Sequence, residues 1–185
     1  MPMAATKVWT LQELDSLPDD ENTYELVHGE LFVTPAPGPR HEDIAARLTA
    51  ILLPYVLEHR LGLIYHPRGV VQHAGSQVEP DLNVRQSLKA VEQWDRAPVP
   101  ILVVEILSPS NRSRLMAAKR SFYSEVDVAE YWIVDPENRT VTSVRPGRPD
   151  TEFRDTLTWH PRGPAAPLLI DLADVFVSRR GITTV

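Results

Sequence analysis

Glu105, Lys119 and Asp81 are the residues of this chain whose types and surroundings could do chemistry. Ile101 to Leu107 is a run of branched apolar residues interrupted only by Glu105 and closed by Ser108-Pro109-Ser110; such a run reads as a strand covered on both faces. Downstream, Leu115, Phe122 and Val126 recur at helical spacing, and the residue that completes their i, i+4, i+7, i+11 stripe is Lys119. An ion buried without a partner costs several kcal/mol or is neutralised, with shifts on the order of 3–5 pKa units at complete burial. The simplest relief is for the acid and the amine to meet. Asp81 lies where Glu79, Asp81 and Asn83 alternate with Val78, Pro80, Leu82 and Val84, so the polar residues of an extended segment share one face, and a polar face beside a core strand makes a cleft.

Two carboxylates and an amine suit a hard divalent cation. Mg²⁺ or Mn²⁺ takes oxygen ligands, keeps several waters, and binds a substrate phosphate beside one or two carboxylates. Such an ion polarises phosphorus and acidifies water, and a neighbouring lysine positions the attacking water or neutralises developing charge. Phosphodiester hydrolysis is the matching reaction. Each residue also has a plain structural reading: Glu105 as the partner of an arginine, Lys119 with its stem on apolar surface and its head in water, Asp81 as a strand-end acid. Glu25 and His41 are outer candidates ranked below these three, the first reading sooner as an exposed hairpin acid and the second sooner as a helix-start residue. Arg112, Arg114 and Arg120 could hold phosphates, or form a solvated helix face.

The elements that must position these groups follow from pattern. Tyr131 to Asp135 is a second β-rich run, so Pro100 to Asp135 reads strand, helix, strand, a βαβ unit. In such a unit the site gathers at the carboxyl end of the first strand, two residues from Glu105. Ahead of it, Thr10 to Leu17 reads as a short helix with Thr10 as N-cap. Tyr24 to Val27 and Glu30 to Thr34 flank His28-Gly29 as a β-hairpin. Pro39 starts a helix with an inward stripe of Ile44, Leu48, Ile51 and Tyr55, kinked at Pro54. Leu63 to Gln72 and Val78 to Arg85 read as strands, and Ser87 to Pro98 as a polar connector. Thr140 to Arg145 and Thr151 to Trp159 read as a closing hairpin across Pro146 to Asp150. Leu168 to Val177 reads as a terminal helix with Asp171 or Asp174 near its start.

Composition sets the outer limits. The 185 residues, 43% hydrophobic and 24% charged, suit one domain over 1–185 with residues 1–8 as a flexible end. With no cysteine, disulfides and thiolate metal sites are impossible. No apolar run reaches the roughly 18 residues of a membrane helix, and nothing near the start resembles a signal peptide, which points to a soluble cytoplasmic protein. A net charge of −6 gives no global attraction to nucleic acid. Basic residues are 16 arginines and only 3 lysines, so a lysine on an apolar stripe is less easily background.

The order Tyr24-Glu25-Leu26, Gly29-Glu30-Leu31, Pro39, His41, Pro80-Asp81-Leu82, Val104 to Ser110, Lys119, Tyr123, Glu130-Tyr131-Trp132 and Val134-Asp135-Pro136 resembles the Uma-type (Uma-two) restriction-endonuclease-like family over nearly the whole chain. The resemblance implies the PD-(D/E)XK nuclease fold: α/β (α+β), a mixed central sheet flanked by helices, here with an N-terminal hairpin and C-terminal antiparallel strands. It makes Asp81 and Glu105 the motif acids and metal ligands, Lys119 the third catalytic residue, and Mg²⁺ or Mn²⁺ the cofactor. Two residues after Glu105, where the general nuclease motif has its lysine, both the family and this chain have leucine (Leu107), so Lys119 would be a migrated substitute. Leu115 stands where the family commonly has an acid, and Asp127 where it usually has glycine.

Two function classes stay open: a divalent-metal endonuclease, acting on DNA sooner than RNA, and a nuclease-fold protein without catalysis that serves as a nucleic-acid-binding or oligomeric module. A homodimer is expected, because the resemblance is to nucleases that commonly pair and because 4 Trp and 5 Tyr exceed what one small core must hide.

Overall fold

In a computed structural model of the chain, the described residues are 7–86, 93–108, 114–161, 163 and 166–177. Residues 1–6 of the N-terminal end, residues 87–92 of the 87–98 connector and Arg112 lie outside them.

Thr10 accepts from the Glu13 N–H and Glu13 returns to the Thr10 N–H, a reciprocal cap that starts α1 (Leu11–Asp15). β1 (Thr23–Val27) and β2 (Glu30–Thr34) form the expected hairpin. Its turn residues His28 and Gly29 stand at φ +50 and +78, the left-handed pair a tight two-residue turn requires. Pro39 opens α2 (Pro39–Glu58), which continues through Pro54 as one helix, and its buried stripe is Ile44, Leu48, Leu52, Tyr55 and Val56, with Ile51 beside it.

The two long strands expected from Leu63 to Arg85 are four short ones: β3 (Leu63–Tyr65), β4 (Val71–His73), β5 (Ser76–Val78) and β6 (Leu82–Arg85). Both breaks have local causes. Pro67-Arg68-Gly69 turns the chain, with Arg68 at φ +77, and a side chain on Gly69 would meet the Tyr65 Cβ at 2.7 Å. Pro80 has no N–H to give a ladder, so the strand is cut there and its halves go to different sheets.

β7 (Leu102–Ile106), α3 (Arg114–Glu125) and β8 (Tyr131–Asp135) form the expected βαβ unit, with β7 and β8 parallel. β9 (Thr140–Val144) and β10 (Thr151–Phe153) extend it antiparallel. The expected closing hairpin stops at Phe153, because β11 (Thr156–Trp159) pairs instead with β12 (Leu168–Asp171). The segment expected as a terminal helix, Leu168 to Val177, is therefore divided evenly between this strand and one helical turn. Only α4 (Leu172–Val175) is helical, capped by the Asp171 carboxylate on the Ala173 N–H.

The resulting mixed sheet runs β10-β9-β8-β7-β6-β3, with a second sheet β2-β1-β5-β4 and the β11-β12 pair. One face of the six-stranded sheet packs on α2 and the C-terminal segment through Leu102, Val104, Ile106, Trp132 and Trp159. The other packs on α3 and the four-stranded sheet through Val103, Tyr131, Phe122, Val27 and Val78. β7 is thus buried along its whole length, as a central strand covered on both faces must be. Among the described residues no helix is long and apolar enough to cross a membrane.

Candidate active site

Alternation along β7 sends Leu102, Val104 and Ile106 to the α2 face and Val103 and Glu105 to the α3 face. β6 runs antiparallel beside it with Leu82 opposite Val104, so the next residue, Asp81, stands across from Glu105 on the same face. Asp81 is held there: its Oδ2 accepts the Ile106 N–H at 2.7 Å and lies 3.1 Å from His41 Nε2. From α3 comes Lys119, whose Nζ is 2.9 Å from Glu105 Oε2 and 2.8 Å from Glu25 Oε1. Glu25 reaches in from β1 of the other sheet and also accepts the Glu79 N–H at 2.8 Å. Tyr123, one turn beyond Lys119, donates its hydroxyl to Glu105 Oε1 at 2.5 Å.

Glu25, Glu105 and Lys119 are each no more than 3% exposed, so the acid and the amine do meet and the lysine serves two acids rather than one. Burial pushes the Glu105 carboxyl up to about 8; the Lys119 ammonium opposes that, and the charges of Asp81 and Glu25 add to it. Burial likewise raises Glu25 against the pull of Lys119. For Lys119 burial works toward neutrality, but Glu105 and Glu25 together outweigh it and hold the ammonium well above its usual range. Both partners of one ion pair are thus pushed upward, which is what two carboxylates sharing a single cation in a dry site must show. His41 is lowered by burial and raised further by its hydrogen bond and charge contact with Asp81, ending above its usual value. Among the described residues its buried Nδ1 has no hydrogen-bond partner and lies 3.5 Å from Glu42 Oε1.

These side chains line one cavity of about 440 Å³, walled on one side by the Pro35 to Gly38 link and on the other by Glu25, His41, Glu79, Asp81, Glu105 and Lys119. Among the described residues no three His, Asp or Glu side chains form a ready metal cage. The donor set nevertheless suits a cation that takes two carboxylates and completes its shell with water. Asp81 and Glu105 are hard oxygen donors at facing register positions on one cavity wall.

Of the sequence candidates, Asp81, Glu105, Lys119, Glu25 and His41 come together. Glu25 is no exposed hairpin acid: it is buried, because β1 packs over α3 as well as pairing with β2. Arg114 and Arg120 are not in the cavity lining; Arg114 pairs with Glu30 at 2.9 Å and Arg120 is bidentate on Asp150 at 2.7 and 2.8 Å. The contact that residue typing did not single out is the Tyr123 hydroxyl. Its signal is positional, since it stands four residues after Lys119 on the same helix face.

The fold has a solved counterpart. The crystal structure of "a putative nuclease belonging to DUF820" from Anabaena variabilis ATCC 29413 matches with a TM-score of 0.74 at 22% identity, over 90% of this chain and 97% of that one. No curated protein matches the chain. Residues 11–170 match the Uma2 family, described as "Putative restriction endonuclease". A match of that extent, on a mixed sheet that with α3 brings Asp81, Glu105 and Lys119 to one cavity, makes the chain a member of the Uma2 restriction-endonuclease family.

Proposed function

We propose that the chain is a divalent-cation-dependent endonuclease that hydrolyses phosphodiester bonds of DNA in the cavity lined by Asp81, Glu105 and Lys119. The observation that carries this reading is the facing pair Asp81 and Glu105 with a buried ammonium on the same wall. An ordinary surface offers no reason to gather three acids and a lysine this closely, and a purely structural core replaces such groups with apolar ones at no loss of stability.

Asp81 and Glu105 would hold Mg²⁺ or Mn²⁺, which when bound supplies Lewis acidity toward the phosphate and a lowered pKa for water. The chain's own groups do the rest. The Ile106 N–H fixes the Asp81 carboxylate, and Tyr123 fixes that of Glu105, so both oxygens stand in set positions before substrate arrives. Lys119 balances negative charge as a point ion held by Glu25. His41 pairs with Asp81 through Nε2, which places an imidazole able to exchange a proton beside that carboxylate. A homodimer would let two such cavities act on the two strands of a duplex.

Incubation of the protein with plasmid DNA and with RNA of similar length, with Mg²⁺, with Mn²⁺ and with EDTA, tests the reading. Cation-dependent cleavage of DNA that is lost in Asp81→Asn and Glu105→Gln supports it. The second reading, a binding module without catalysis, is favoured by one observation: both Glu105 oxygens already have protein partners. It wins if neither nucleic acid is cut and cations leave the melting temperature unchanged.

A further inference from the structure

A second cavity, a groove of about 520 Å³, flanks the first turns of α2, with Arg40, Asp43 and Arg47 from that helix, Arg139 from the β8–β9 turn, and Val175 and Phe176 from the C-terminal segment in its lining. The acidic cavity takes Gly38, His41 and Glu42 from the same stretch. At roughly 3.6 residues per turn the two sets face opposite sides of α2, so one helix diameter, about 10 Å, separates groove from cavity. Both lie at the same end of the sheet. Arg40 donates to the Pro136 carbonyl just past the end of β8, and β8 runs parallel to β7, which carries Glu105 next to its own end.

The charge of this groove is not balanced by the fold. Arg68, Arg114, Arg120, Arg145 and Arg154 each pair with a carboxylate. Arg40, Arg47 and Arg139 have no ion pair among the described residues, in a chain whose net charge is −6. Arg40 spends one donor on the Pro136 carbonyl, and Arg47 Nη1 lies 3.5 Å from the Asp174 carbonyl oxygen. A carbonyl orients a guanidinium but leaves its charge and its other donors available. Three guanidiniums gathered from two segments around one lining acid, Asp43, repel one another, and an anion relieves that repulsion. Beneath them Ile44, Val175 and Phe176 form an apolar floor continuous with the core, on which a sugar or a base edge can rest.

We propose that this groove is a docking track for the phosphate backbone of a nucleic-acid strand, which it holds on one side of α2 while the acidic cavity acts on the other. Arg40 and Arg47 stand two turns apart, about 10 Å along the helix, and lean on carbonyls of different segments. Each therefore meets a separate phosphate, and Arg139 adds a third charge from the β8–β9 turn. A ligand with a single phosphate satisfies one of these arginines; a strand satisfies the row. That the polyanion is a nucleic acid rests on the nuclease reading, whereas the row of phosphates follows from the groove itself.

Fluorescence anisotropy of a short labelled single-stranded DNA with the full chain, in EDTA over a KCl series, tests the groove. Arg47→Ala and Arg139→Ala should each lower the salt slope by about 0.7 and weaken binding about 5-fold near 0.1 M KCl, as the loss of one single-strand phosphate contact does. Arg47→Lys and Arg139→Lys keep the charge and should keep most of the slope. Arg148→Ala removes an exposed arginine outside the groove and should leave the slope unchanged. With Mg²⁺, the Arg47→Ala, Arg139→Ala double variant should raise KM for DNA and keep kcat near that of the wild type. Wild-type slopes in both alanine variants, or an equal drop in Arg148→Ala, overturn the docking track. Arginine-dependent binding to phosphatidylserine vesicles with none to DNA overturns it in favour of a lipid surface. A wild type that cuts DNA while the slopes do not respond refutes the groove and spares the nuclease reading; one that binds with the expected slopes and never cuts refutes the nuclease reading and supports the groove.

Discussion

Replacing Lys119 with methionine removes a charge and keeps a long side chain, so it isolates the electrostatics of the buried triad. Nζ lies 2.8 Å from Glu25 and 2.9 Å from Glu105. At an effective dielectric of about 20 each contact is worth roughly 6 kcal/mol. Desolvation of three ions and repulsion between the acids cancel most of that sum, but only while all three charges are present. Removing the cation leaves two buried acids uncompensated, and breaking a buried pair in this way costs about 3–5 kcal/mol. For a chain of this size that lowers the melting temperature by about 6–20 °C. The deficit must also depend on pH. Glu25 and Glu105 have folded pKa values above the usual 4.5, so the folded state holds protons that the unfolded state releases, and their contribution is full below about 4.5 and lost as pH rises through about 8 for Glu105. Without the ammonium both carboxyls rise further and the loss steepens. Urea unfolding at pH 5, 6.5 and 8 should therefore show a deficit that is smallest at pH 5 and largest at pH 8. A deficit under about 1 kcal/mol, flat across that range, would refute the shared-cation account.

Glu105→Gln mimics the protonated acid, so in metal-free buffer it should be near neutral at pH 6 and more stable than the wild type at pH 9, flattening the stability curve between about 4.5 and 8; calorimetric scans across pH check this. Mg²⁺ or Mn²⁺ at 100 times its Kd should stabilise the wild type by about 2.7 kcal/mol and leave Asp81→Asn unchanged, which a thermal-shift titration reads directly. Gly62→Ala should destabilise the chain by at least about 2–3 kcal/mol, because Gly62 stands at φ +134 and an added Cβ would lie 1.8 Å from the Arg85 carbonyl oxygen. A melting temperature within a degree or two of the wild type would count against that backbone geometry.

The parts of the fold legible in the sequence were those with a local cause. The apolar run closed by Ser108-Pro109-Ser110, the helical stripe through Lys119 and the β-rich Tyr131 to Asp135 each bury what their periodicity says they bury, and the βαβ unit followed from their order. Pairings decided at a distance were not legible. Thr156 to Trp159 takes its partner from Leu168 to Asp171 rather than from the adjacent strand, and Leu168-Leu169-Ile170 carries no helix-versus-strand signal strong enough to announce it. Glu25 was legible as a residue type but not as a buried one, because its burial depends on a second sheet packing over α3. Tyr123 needed one further step, from the spacing of Lys119 to its next turn.

The placement of the amine on a helix rather than on the strand has a mechanical consequence. Leu107 is on the same face as Glu105, two residues along, but packs into the apolar cluster with Val103, Phe122 and Tyr131 and gives its N–H to Val134 at 2.8 Å. A lysine there would take its position from the strand ladder, the most rigid frame in the molecule. Lys119 takes its position from α3, and α3 is held against β7 by Met116, Phe122 and Tyr123, the last also hydrogen-bonded to Glu105 itself. The same two helical turns therefore set where the ammonium stands and how the Glu105 carboxylate is aimed. Asp81 and the backbone of Glu105 are both tied to β7, so packing on α3 bears on the ammonium and on the Tyr123 contact to Glu105 rather than on the strand that holds the two acids.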